Sequence, residues 1–120
     1  MDFGWVTIHV RDMGESLKFY QEIVGLKISR RMKPRPDMEI VFLETGKTEI
    51  ELIRDGAKPS FGNDISLGFR VDSVDDMIEI LAAKNIPVHS GPFQPGPAIR
   101  FFYVLDPDGL KIQFFENIRV

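Results

Sequence analysis

The sequence predicts an α+β fold of two βαβββ modules whose strands form a cup-shaped mixed sheet. Three observations predict it: strand-like segments with period-two apolar residues, two helix starts marked by capping residues, and the return of the whole order after about 61 residues. Residues 3–10, FGWVTIHV, alternate as a strand. Asp12, with Glu15 three positions on, gives a capping-box-like start to a helix whose buried stripe is Leu17, Tyr20, Ile23 and Val24. Gly25 supplies the left-handed residue that ends it. LKISRR, DMEIVFLET and KTEIELIR follow as strands, the last two joined by a tight turn at Thr45-Gly46-Lys47.

Residues 55–63, DGAKPSFGN, collect turn-forming residues and read as a linker between a first module over 1–54 and a second over 64–120, both within one domain, 1–120. The order then restarts. DISLGFRV (64–71) is a strand, Ser73 with Asp76 caps a helix carrying Met77, Ile80 and Leu81, and Asn85 can end it. The strand IPVHS, the turn-rich GPFQPGP, and the hairpin AIRFFYVLDPDGLKIQFFE, turned at Asp106-Pro107-Asp108-Gly109, complete the second copy. Val10 corresponds to Val71, Ile8 to Phe69, and Ile50-Glu51-Leu52 to Ile112-Gln113-Phe114. Two copies make a duplication rather than a solenoid.

Composition narrows the partners. With 43% hydrophobic residues, a chain of 120 residues can bury one core but not two independent ones. A net charge of −3 and a pI near 5.3 argue against nucleic acid and anionic membrane surfaces, leaving small molecules and proteins. There is no cysteine, hence no disulfide, thiolate nucleophile or thiolate metal site. No apolar run approaches the ~18 residues of a membrane span and the start carries no targeting pattern, so the expected location is the cytoplasm.

Strand alternation sorts the side chains into faces. Val6, Ile8 and Val10 share one face, as do Ile65, Leu67, Phe69 and Val71; Ile50 with Leu52, and Ile112 with Phe114, follow the same rule. These rows suit the apolar stripes of the helices. The opposite face carries Trp5, Thr7 and His9, Glu49 and Glu51, Ser66, Gly68 and Arg70, and Lys111, Gln113 and Phe115. A mixed polar and aromatic face reads equally as an ordinary solvated sheet or as the wall of a ligand cup, and Trp5 and Phe115 favour the cup.

VRDMGESLKFYQEIVGLKI and FFYVLDPDGLKIQFFE, together with TEIELI and FRVDSVDD, resemble the first helix, the closing hairpin and the intervening strands of the glyoxalase/bleomycin-resistance/dioxygenase (vicinal oxygen chelate) superfamily. The resemblance spans nearly the whole chain. It implies a cup built from paired modules, completed within a chain or between the chains of a homodimer, around a divalent metal held at four strand positions. Those positions fall on Trp5, Glu51, Ser66 and Gln113. Of these only Glu51 is a strong ligand, so the implied metal site is degenerate, a divalent metal is disfavoured, and no cofactor is established.

Glu51 reads as a metal ligand, as a general base beside a carbonyl, or as a solvated strand carboxylate. His9 reads as an acid, a base, a makeshift ligand or a partly exposed strand histidine. Arg70 would bind a carboxylate or phosphate, or pair with Glu49 or Glu51. Trp5, Ser66, Arg100, Phe102, Gln113 and Phe115 complete the candidate substrate-binding set, Phe102 having core packing as its alternative. His89 reads as exposed, and the basic segment RRMKPRPD (30–37) as a loop edging the cup. By resemblance the protein is glyoxalase-like, binding a small molecule in the cup. As an enzyme it would be a lyase or isomerase acting on a small carbonyl compound. The alternative is a non-catalytic, ligand-sequestering protein of the bleomycin-resistance kind; a thiol transferase or dioxygenase is disfavoured by the missing histidines.

Overall fold

The computed structural model describes residues 1–119, so the last residue of the second module, Val120, lies outside the described residues. The chain divides into two compact units, one over Met1–Ser60 and one from Phe61 onward. The first contains β1 (Trp5–His9), α1 (Met13–Lys18) with a π-helical turn (Phe19–Ile23), β2 (Lys27–Arg35), β3 (Met38–Glu44) and β4 (Glu49–Arg54). The second contains β5 (Ser66–Arg70), α2 (Val74–Ala83), β6 (Ser90–Phe93), β7 (Ile99–Leu105) and β8 (Lys111–Asn117). Strand order is β1-β4-β3-β2 in one sheet and β5-β8-β7-β6 in the other, so the βαβββ unit occurs twice with one topology.

The duplication extends to single hydrogen bonds. β1 runs parallel to β4 with Thr7 opposite Glu51, and β5 runs parallel to β8 with Gly68 opposite Gln113. Val10 N donates to Ile53 O, and Val71 N to Phe115 O, both at 2.8 Å.

Each helix starts where its cap dictates. Asp12 accepts from Glu15 N and Ser73 from Asp76 N, each satisfying an amide that has no partner within its helix. Gly25 (φ 84) and Asn85 (φ 60) take the left-handed conformation just past the helical segments. The closing hairpin turns on Asp106, only 5% exposed, whose Oδ1 accepts from Asp108 N and Leu110 N at 2.9 Å each. No helix among the described residues is long and apolar enough to cross a membrane.

α1 packs on β4, and α2 on β7 and β8. In the first unit Ile8, Val10, Val41, Leu43, Ile50 and Leu52 are buried with Leu17 and Tyr20; in the second Phe102, Val104, Ile112 and Phe114 are buried with Val74 and Leu81.

Several boundaries differ from expectation. The basic segment 30–37 is not a loop: β2 runs on to Arg35, and only Pro36 and Asp37 turn. The register slips between Met32 and Arg35 place Pro34 at an irregularity of an edge strand, where its missing N–H breaks no ladder. The sixth strand is Ser90–Phe93 rather than IPVHS, and Ile65 precedes β5 and is exposed. The π-helical turn changes the rotation per residue after Lys18, so Phe19 joins Tyr20 in the core while Ile23 and Val24 are half-buried. Ile80 is 51% exposed, on the outer side of α2 from Leu81.

Leu52→Ala is expected to cost about 2–5 kcal/mol in urea unfolding, because it leaves a cavity at a fully buried site. Ile80→Ala is expected to change the same free energy by less than about 1 kcal/mol.

Candidate functional site

The faces turned away from the helices carry the polar groups, and each unit has its own. On the first, Thr7 Oγ1 donates to Glu51 Oε1 across the parallel ladder at 2.6 Å. Glu51 is half-buried, and its second oxygen has no hydrogen bond to any described residue. Glu49 accepts from Ser29 Oγ at 2.6 Å and lies 3.3 Å from Arg30 Nη2. The Arg30 guanidinium stands 3.8 Å over the Phe42 ring, and Phe42 meets Trp5 edge-on at 5.2 Å. Trp5 keeps 49% of its surface exposed, so this face offers an aromatic wall beside a carboxylate.

His9 ends the β1 row. Its Nδ1 is buried and makes no hydrogen bond among the described residues, and Asp55 Oδ1 faces it at 3.6 Å. The side chain as a whole is 45% accessible, so the exposed part of the ring is the edge away from Nδ1. Asp55 continues the alternating row Glu49, Glu51, Ile53 on β4, and its Oδ1 also accepts from Ala57 N at 3.0 Å. That amide holds the Asp55 carboxyl below its ordinary 3.8; burial opposes the shift, and the neighbouring His9 ring and the Arg35 charge add to it.

On the second face, Ser66 and Arg70 are exposed on β5, and Gln113 and Phe115 are half-buried on β8. Gly68 occupies the position of Thr7. A β-carbon there would stand 3.1 Å from Gln113 Oε1, so the glycine leaves room for the amide oxygen. Gln113 Nε2 donates to the Tyr103 hydroxyl at 3.2 Å, and Lys111 Nζ stands 4.6 Å over the Tyr103 ring. Phe93, Phe101 and Tyr103 form a chain of ring contacts at 5.6 and 5.8 Å.

The candidate residues thus separate. Trp5, His9 and Glu51 share the first face, and Ser66, Arg70, Gln113 and Phe115 share the second. Phe102 and Arg100 belong to neither. Phe102 is fully buried against Phe114 at 5.6 Å, and Arg100, two residues earlier and therefore on the same side of β7, donates to Asp75 of α2 at 2.8 Å. The residues of that strand on the polar side are Phe101 and Tyr103, opposite Phe115 and Gln113. Glu49 has its partners in Arg30 and Ser29, and Glu51 in Thr7. His89 is exposed. Sequence reasoning placed Asp55 in a linker; the period-two row from Glu49 was the signal that could have found it.

Three of the residues at the four implied metal positions do not fit a cation, which leaves Glu51 alone. The Trp5 indole has only a donor and is packed against Phe42, Ser66 is a neutral hydroxyl, and Gln113, whose Nε2 donates to Tyr103, offers at most a neutral amide carbonyl. Among the described residues no group of three or more His, Asp or Glu side chains is placed to hold a metal ion.

Comparison with known proteins agrees with the architecture. Residues 2–114 match the model of the Glyoxalase/Bleomycin resistance protein/Dioxygenase superfamily. A lactoylglutathione lyase of Haemophilus influenzae is 32% identical, the match covering 92% of this chain and 88% of the relative. The trypanothione-dependent glyoxalase I of Leishmania major superimposes with a TM-score of 0.80 at 25% identity, covering 97% of this chain and 86% of that one. An antibiotic-binding protein from Streptomyces sp. CB03234 has the same fold, with a TM-score of 0.76 at 22% identity over 96–98% of both chains.

Two measurements check the site chemistry. Elemental analysis after incubation with Ni²⁺, Zn²⁺, Mn²⁺ or Fe²⁺ and desalting is expected to find far less than one equivalent of metal per chain. Because the native Asp55 carboxyl ionises more readily than an unfolded one, its contribution to stability is present above pH 3.8 and lost as the pH falls through its lower native value. Asp55→Asn should therefore lower the Tm at pH 7, and the gap to the wild type should close in strong acid.

Proposed function

The chain belongs to the Glyoxalase/Bleomycin resistance protein/Dioxygenase superfamily, and from that premise we propose that it binds a small carbonyl compound on the Trp5–Glu51 face and transfers a proton at the carbon beside the carbonyl. The observation that carries this reading is the Thr7–Glu51 pair. One carboxylate oxygen is held by a hydroxyl at 2.6 Å while the other is uncommitted, next to an aromatic surface that can cover a planar carbonyl group. A positioned carboxylate of this kind can take a proton from a carbon acid, and fixing it on a strand rather than a loop keeps its geometry.

The relatives named lactoylglutathione lyase support the substrate class, since the lactoyl group of their named compound carries a carbonyl beside an α-hydroxyl. The donor set does not support routing the reaction through a metal, so the proton transfer is assigned to the side chains alone. One cooperative domain, a cytoplasmic location and a homodimer complete the reading, and sedimentation velocity tests the last.

The test is α-proton exchange in D₂O, followed by NMR with hydroxyacetone or glyceraldehyde, in wild type and Glu51→Gln. The wild type is expected to exchange the proton, and the variant to lose about 100-fold or more of that rate. Equal rates would remove Glu51 as the base. Binding without exchange, read from quenching of Trp5, the single tryptophan, would favour ligand sequestration instead.

A further inference from the structure

On the face that carries Glu51, a second proton-handling group is held by a residue outside the strands. We propose that Asp55 is a positioning residue that keeps the His9 proton on Nδ1, so that His9 Nε2 relays a proton between the two oxygens of an α-hydroxy carbonyl substrate. This deepens the reading given for Glu51 and rests on it.

The geometry comes from the parallel ladder. His9 lies opposite Ile53, and Thr7 lies opposite Glu51, so His9 is the diagonal neighbour of Glu51 on one face. With strands about 4.8 Å apart and a rise of about 3.3 Å per residue, such diagonal positions lie about 8 Å apart, a spacing that one small molecule can bridge. The buried Nδ1 faces Asp55 Oδ1 at 3.6 Å and makes no hydrogen bond among the described residues. A buried ring nitrogen facing a carboxylate is better occupied by N–H than by a lone pair, because a lone pair there would be repelled by the anion. Hydrogen bonds of this kind are often long in the free protein and tighten once the site is filled. With the proton on Nδ1, Nε2 is a basic nitrogen on the accessible edge of the ring. Asp55 is itself tied by Ala57 N at 3.0 Å, which fixes its oxygen where the imidazole needs it.

The step balances without a co-reactant. Glu51 removes the hydrogen on the hydroxyl-bearing carbon as a proton, and the electron pair of that C–H bond becomes the C=C bond of an enediol while the carbonyl π bond opens onto its oxygen. His9 Nε2 takes the hydroxyl proton and gives a proton to the former carbonyl oxygen. Glu51 then returns its proton to the adjacent carbon, and the carbonyl is re-formed at the former hydroxyl position. One proton has moved from carbon to the adjacent carbon and one from oxygen to oxygen, and both side chains end as they began.

Long-range ¹H–¹⁵N NMR reads the tautomer directly, and His89, exposed and in the other unit, serves as the in-sample reference. His9 is expected in the Nδ1–H form in the wild type and chiefly in the Nε2–H form in Asp55→Ala, with His89 unchanged. With glyceraldehyde as probe, Asp55→Ala should lower kcat for dihydroxyacetone formation at least about tenfold with KM little changed. The Asp55→Ala/His9→Gln double variant should be no slower than His9→Gln alone, since Asp55 acts only through His9. A wild-type His9 in the Nε2–H form, a tautomer indifferent to Asp55→Ala, or losses that add in the double variant would each overturn the proposal. If the wild type exchanges the α-proton yet forms no ketose, the relay fails while Glu51 stands as base; if it does neither, the reading of Glu51 fails first.

Discussion

The parallel pairing of the first and last strands of each module is the constraint on which the rest depends. β1 and β4 are remote in sequence, and bringing them side by side requires a helix and two further strands to cross between them. Once their register is set, every side chain on both strands is committed to a face. Ile8, Leu52 and Ile50 turn toward the helix, and Thr7, Glu51 and His9 turn away from it. A slip of one residue would bury Glu51 and expose Leu52, so burial of the apolar row locks the polar one in place. The Thr7–Glu51 hydrogen bond is therefore a by-product of core packing.

The two copies of this frame have diverged in what they display. The position that holds Thr7 in one holds Gly68 in the other, and Glu51 is answered by Gln113. One face consequently carries a hydroxyl-bound carboxylate and a histidine facing an aspartate. Its counterpart carries an uncharged amide–phenol pair with a run of aromatic rings. The backbone hydrogen bond that closes each parallel pair, Val10 N to Ile53 O and Val71 N to Phe115 O, is 2.8 Å in both, so at these central strands the difference lies in the side chains. Trp5 fits this pattern: at a position where the family resemblance implies a metal ligand, the chain places an indole that extends the Phe42 surface, exchanging coordination for apolar contact.

What the sequence by itself determined was the local order. Asp12 and Ser73 as caps, Gly25 and Asn85 as stops, the Asp106–Gly109 turn and the period-two rows of the strands are all set by interactions within a few residues, and they were legible for that reason. The duplication was legible because both copies kept the same core rows. What depends on partners far along the chain was not. The basic segment became strand because β3 offers it a ladder, and the first helix shifted to a π-helical turn, placing Phe19 in the core. Phe102 and Arg100 went to the helix side because the register of β7 on β8 fixes parity across the hairpin. Asp55 reads as the start of a linker until β1 brings His9 beside it. Short-range chemistry chose the elements, and only the long-range pairing of β1 with β4, and of β5 with β8, decided which side chains meet.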